Sequence, residues 1–105
     1  MRERYLTVIW NAEGLIEYDI NGEDSDNITT YMLPEPEFDE LCEKGIFKSI
    51  NGKCGLLIDD YESEIINKTY LKKCLQIVSE SIKTGVFLDA LGKACEKGIA
   101  VGLDF

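Results

Sequence analysis

The groups in this chain that could do chemistry are twenty carboxylates and four cysteines, with no histidine among 105 residues. Without an imidazole there is no Ser–His–Asp or Cys–His nucleophile pair, no histidine metal ligand and no ordinary general base near pH 7. What remains is chemistry by carboxylate, thiol, amine, phenol or hydroxyl. The cysteines stand at Cys42, Cys54, Cys74 and Cys95, 12, 20 and 21 residues apart. None belongs to a C-x-x-C, so the spacing of zinc ribbons and thioredoxin-type sites is missing. They read as small core residues in a reducing compartment, with Cys74 and Cys95 on the apolar stripes of expected helices. Asp59-Asp60-x-Glu62-x-Glu64 has the carboxylate density of a calcium loop, but Tyr61 and the following Ile65-Ile66 break the ligand pattern. Asp59 and Asp60, being adjacent, point apart, which does not suit the facing pair of a glycosidase. The Gly-x-x-Gly of Gly52 and Gly55 lacks the longer Walker spacing and reads as a turn. No catalytic residue, metal ligand or cofactor is expected.

The carboxylates matter more as a surface. Lys and Arg total 11 against 20 Asp and Glu, a net charge of −9. That balance argues against direct nucleic-acid binding, which needs a supply of cations, and against an anionic membrane surface. Solubility or a basic protein partner are the readings left. Residues 1–64 hold sixteen acidic and five basic side chains, −11, whereas residues 65–105 hold four acidic and six basic, +2. Three acidic clusters are the candidate partner-binding residues: Glu13, Glu17 and Asp19; Glu23, Asp24 and Asp26; and Asp59, Asp60, Glu62 and Glu64 with Tyr61 among them. An acidic patch with an aromatic anchor suits a basic partner, since charge raises the encounter rate and Tyr supplies buried area at low entropic cost.

These clusters need elements to position them. A length of 105 residues suits a single globular domain with an ordinary apolar core. Residues 5–10 are β-branched and aromatic, a strand signal. Residues 11–14 look like a turn. Ile16, Tyr18 and Ile20 then alternate with Glu17 and Asp19, which predicts a second strand and an N-terminal hairpin, with Glu13, Glu17 and Asp19 on its wet side. Residues 28–33 read as a third strand, and a helix is expected from about 36 to 44, burying Phe38 and Leu41 and stopped by Gly45. Residues 46–50 fit a short strand or an irregular turn, Asn51-Gly52 a hairpin turn, and 55–58 a buried strand. Leu71, Cys74, Leu75, Val78 and Ile82 trace one helical stripe with Thr69 as its cap, and Phe87, Leu88, Leu91, Ala94 and Cys95 trace another. Ile99, Val101, Leu103 and Phe105 alternate, so a strand ends the chain and pairs inside the sheet. The expected fold class is α+β: a mostly antiparallel sheet, from the N-terminal hairpin plus the C-terminal strand, with about three helices packed on one face. The last strand is compatible with either a parallel or an antiparallel neighbour.

Two segments and a closing run carry a family resemblance. Glu37-Phe38-Asp39-Glu40-Leu41 with Gly45-Ile46-Phe47, then 55–62 (Gly-Leu-Leu-Ile-Asp-Asp-Tyr-Glu), then 94–101, resemble the layout of small acidic immunity proteins of bacterial toxin–antitoxin and contact-dependent inhibition systems. The resemblance implies a cytoplasmic, non-catalytic protein that occludes the active site of a basic toxin, often a nuclease. No leader-like apolar run and no stretch of some 18 apolar residues contradicts a cytoplasmic address. The leading alternative is a phage or mobile-element inhibitor of a host nucleic-acid enzyme, acting by acidic mimicry. A small carboxylate or thiol enzyme and an adaptor that homodimerises through a sheet edge complete the set.

Overall fold

A computed structural model describes residues 3–20, 24–59 and 63–105. In chain order the elements are β1 (Arg4–Ile9), α1 (Ala12–Asp19), β2 (Ile28–Leu33), α2 (Glu35–Glu43), α3 (Ile46–Cys54), β3 (Ser63–Asn67), α4 (Lys68–Ser81), α5 (Val86–Lys97) and β4 (Ala100–Asp104). The fold is α+β, and all four strands pair antiparallel in the order β2-β1-β4-β3. The chain's last strand therefore lies inside the sheet, as its apolar alternation requires, and both of its neighbours are antiparallel.

The expected hairpin does not form. β1 pairs instead with residues 28–33, from Arg4 opposite Leu33 to Ile9 opposite Ile28, and residues 12–19 between them are helical. The cause lies at Asn11. Its backbone is extended and its side-chain Oδ1 accepts from the Gly14 N–H at 2.9 Å, which satisfies one of the donors a helix start leaves open. Ala12 and Glu13 then continue a good first turn. The apolar alternation that suggested a strand becomes, at 100° per residue, a helix with apolar side chains on two sides.

The second mismatch has an equally local cause. Residues 55–58 are not a strand. Gly55, with φ 67°, closes α3, and the Asn51 side chain then brackets Ile58: Oδ1 accepts from the Ile58 N–H at 2.8 Å and Nδ2 donates to the Ile58 carbonyl at 2.9 Å. An amide side chain thus does what a neighbouring strand would do. Residues 46–54 are helix α3, burying Ile46, Phe47, Ile50 and Cys54 at helical spacing, so Asn51-Gly52 sits inside a helix and makes no hairpin turn. The strand after it is β3, which takes in Glu64. The cap of α4 is Asn67, whose Oδ1 accepts from the Thr69 N–H at 3.0 Å; Thr69 is not the cap.

Strand alternation sends Leu6, Val8, Leu33, Ile66, Val101 and Leu103 to one face, where they join the buried apolar side chains of α2–α5 in the main core. An aromatic knot of Phe38, Phe47, Phe87 and Phe105, with ring centroids 5.2–5.7 Å apart, fills one end of it. Arg4 is buried there with its guanidinium 3.8 Å from the Phe38 ring centroid. Helices do not keep to one face. The opposite side of the sheet carries a smaller cluster, Ile9, Ile28 and Ala100, covered by Tyr18 of α1. Among the described residues there are five helices, with α1 on the second face, where about three on one face were expected. Cys54 and Cys74 are core residues with sulfurs 3.9 Å apart, whereas Cys95 and Cys42 are exposed, Cys95 because it falls at the margin of the α5 stripe.

Candidate functional site

Helix α1 is set on the sheet by two glycines and a tyrosine. Gly14 lies so close to β2 that a Cβ would fall 2.3 Å from the Asn27 carbonyl oxygen, and Gly102 leaves room for the Tyr18 ring, which a Cβ would meet at 2.2 Å. The Tyr18 hydroxyl donates to Asp104 Oδ2 at 3.0 Å, and the Ser63 hydroxyl donates to Oδ1 of the same carboxylate at 2.8 Å. Burial, reinforced by the Asp104 charge, pushes the Tyr18 phenol far above its ordinary range, so it stays a donor at all physiological pH values.

The three acidic clusters separate by what each carboxylate does. Glu17 accepts from the Ser25 hydroxyl at 2.6 Å and from Asn27 Nδ2 at 2.5 Å, and these bonds hold its carboxyl below the usual carboxylate range. Asp24 accepts from the Thr30 N–H at 2.8 Å. Both are structural, and the Glu17 bonds tie α1 to the 24–27 segment. Glu64 of the third cluster, on the edge strand β3, is structural as well: it accepts from the Leu57 N–H at 3.0 Å. Asp59 is exposed. Glu23, Asp60, Tyr61 and Glu62 lie outside the described residues. Glu13, Asp19 and Asp26 are exposed and make no side-chain hydrogen bond or ion pair among the described residues.

A further acidic row lies outside the three clusters, on a helix that belongs to the negative half of the sequence. Helix α2 carries Glu35, Glu37, Asp39, Glu40 and Glu43. Glu37 turns inward and caps α5, its two carboxylate oxygens accepting from the Val86 and Phe87 N–H groups at 3.0 and 2.9 Å. Glu40 is 3.5 Å from Lys44. Glu35, Asp39 and Glu43 are exposed and recur every four residues, about 6 Å apart along the axis. Like charges at that spacing destabilise a helix by about 0.2–0.5 kcal/mol per pair. Glu43 also sits at the negative end of the helix dipole, with no basic side chain in the last turn. The signal for this row was available: a nine-residue helix holding five acids and no base.

Among the described residues no group of three or more His, Cys, Asp or Glu side chains is placed to hold a metal ion. Burial, with Cys54 adjacent, pushes the Cys74 thiol up to about 12, far from a reactive thiolate. A cleft of about 240 Å³ beside α2 and α3 has Phe38, Phe47, Phe105, Cys42, Lys48 and Asp59 in its lining. Among the described residues no helix is long and apolar enough to cross a membrane.

No family model matches the chain, and no curated protein matches it in sequence. The immunity family that the layout resembles is therefore not supported by either comparison. Among solved structures the chain is similar to the Neisseria DNA mimic protein DMP12, with a TM-score of 0.58 and 13% sequence identity over 97% of this chain and 99% of that one. At that identity the likeness establishes a shared fold.

Proposed function

We propose that this is a non-catalytic binding protein that blocks a nucleic-acid-binding protein, such as a nucleic-acid enzyme, by presenting carboxylates where phosphates would sit. The observation that carries it is the set of exposed carboxylates that make no side-chain hydrogen bond or ion pair among the described residues: Glu13, Asp19 and Asp26 around α1, and Glu35, Asp39 and Glu43 along α2. A protein that reads nucleic acid through its backbone recognises rows of negative charge and is steered toward them. The shared fold with a protein described as a DNA mimic favours this reading over toxin immunity, although a basic toxin would meet the same surface. Asp59, Asp60, Tyr61, Glu62 and Glu64, with Glu23, are proposed as its flank.

The test is displacement. Host proteins are loaded on immobilised duplex DNA at low salt, and the chain is added in solution. The wild-type chain is expected to release a basic protein from the duplex at low salt, and its direct binding to that protein is expected to weaken as salt rises. A variant with E13Q, D19N, D26N, E35Q, D39N and E43Q should fold and release little. Failure of the wild-type chain to release anything, or equal release by the variant, would overturn the proposal.

A further inference from the structure

Among the described residues five large apolar side chains are exposed, and three of them, Leu15, Ile16 and Ile20, belong to α1 and its C-cap. Ile16 and Ile20 are 65% and 72% exposed. They are one helical turn apart and so share a flank, with Glu13 and Asp19 bordering it. The core does not need them, since Gly14 and Tyr18 already seat the other side of the helix on the sheet. The helix is also held rigidly, by the Asn11 cap at one end and the Tyr18–Asp104 bond near the other.

We infer that the outer face of α1 is the anchor of the partner interface, with Ile16 and Ile20 entering an apolar recess rimmed by Lys or Arg on a basic, nucleic-acid-binding protein. This deepens the mimicry reading and rests on it. Charge selects the occupant. A second copy of this chain would bring −9 against −9 and set Glu13 and Asp19 near their equivalents. An anionic membrane would be repelled by the same carboxylates. A basic protein is attracted by them, and two branched apolar side chains at the centre of a polar rim are the usual anatomy of a protein–protein contact. Phosphate mimicry alone is sequence-blind and salt-labile. An apolar anchor on a rigid helix adds salt-resistant affinity and selects one basic protein among many, at a low ordering cost.

The experiment uses the duplex-displacement assay with the double variant I16S/I20S. Both side chains face water, so the variant should unfold at the wild-type temperature. The concentration needed for half-release should rise on the order of tenfold per isoleucine, and the release that remains should be more salt-sensitive than that of the wild-type chain. If I16S/I20S releases as well as wild type while the carboxylate variant fails, the anchor is refuted and mimicry stands. If the wild-type chain releases nothing, both fall. Sedimentation of both proteins covers the remaining occupant: self-association of the wild-type chain that I16S/I20S abolishes would assign this face to a second copy and overturn the inference.

Discussion

Replacing Gly102 by Ala tests the seating of α1 directly. The new Cβ would lie 2.2 Å from Tyr18 Cζ, 2.5 Å from its hydroxyl oxygen and 2.6 Å from Cε1. Carbon atoms settle at about 3.5–4.0 Å, so the ring must retreat by more than about 1 Å. Overpacking of this kind costs about 1–3 kcal/mol. Retreat also strains the Tyr18–Asp104 hydrogen bond, and bonds to a charged acceptor contribute about 1.5–3 kcal/mol. Ala is the better strand residue by about 0.5–1 kcal/mol, which offsets part of this. The net expectation is a loss of about 2 kcal/mol, or a Tm lower by roughly 8–16 °C for a domain of this size. Urea unfolding followed by circular dichroism measures it. The decisive comparison is the cycle with Tyr18→Ala. Without the ring there is nothing to strike, so G102A should become neutral or slightly stabilising in that background. Equal costs in the two backgrounds, within about 0.5 kcal/mol, would refute direct contact between Tyr18 and the sheet at this glycine.

Other consequences follow from single contacts. With Ellman's reagent at neutral pH, Cys42 and Cys95 should react in the folded protein and Cys54 and Cys74 only after unfolding; four rapid native thiols would show that the α3–α4 packing is wrong. Glu37→Gln keeps one acceptor for α5 and removes the charge, costing about 1 kcal/mol, whereas Glu37→Ala also removes the cap and should cost about 2 kcal/mol; equal and negligible losses would rule out capping across helices. Because hydrogen bonds from Ser25 and Asn27 depress the Glu17 carboxyl, its contribution to stability is fully present above its ordinary value of 4.5 and is lost as pH falls through the lower folded-state value. Glu17→Gln should therefore flatten the stability profile below that pH, and an unchanged acid limb would count against the assignment.

What the sequence disclosed depended on whether an element's partner was local. The stripes of α4 and α5 and the alternation of β4 are properties of single segments buried on one side, and they were readable. Ile16, Tyr18 and Ile20 alternate equally well in a strand and in a helix with two apolar sides, and only the Asn11 cap distinguishes the two. Residues 55–58 have strand composition, but a strand needs a ladder, and the Asn51 amide took the ladder's place. In α3, buried Ile46, Phe47, Ile50 and Cys54 outweigh the poor helix propensity of Asn51-Gly52. For the site, the sequence located the charge in the first 64 residues. It could not separate Glu17, Asp24, Glu37 and Glu64, which hold the protein's own N–H, hydroxyl and amide donors, from Glu13, Asp19 and Glu43, which make no side-chain bond among the described residues. That distinction is geometric.

The same distinction bears on whether the acidity serves more than solubility. A solubilising surface has no reason to be expensive. Negative charge is cheapest at helix starts and beside basic residues. This chain also places Glu43 at a helix end that disfavours it, spaces Glu35, Asp39 and Glu43 where they repel one another, and leaves two isoleucines in water on a helix whose inner side is already satisfied. Each charge placement lowers the stability of the isolated protein by a small amount, and the exposed isoleucines add nothing to its packing. A basic surface approaching α2 would relieve the repulsion within its row, and an apolar recess docking on α1, across the sheet, would remove Ile16 and Ile20 from water. The unfavourable charge placements and the exposed apolar flank each fit a basic partner more closely than solubility alone, and the six-carboxylate and I16S/I20S variants test them separately.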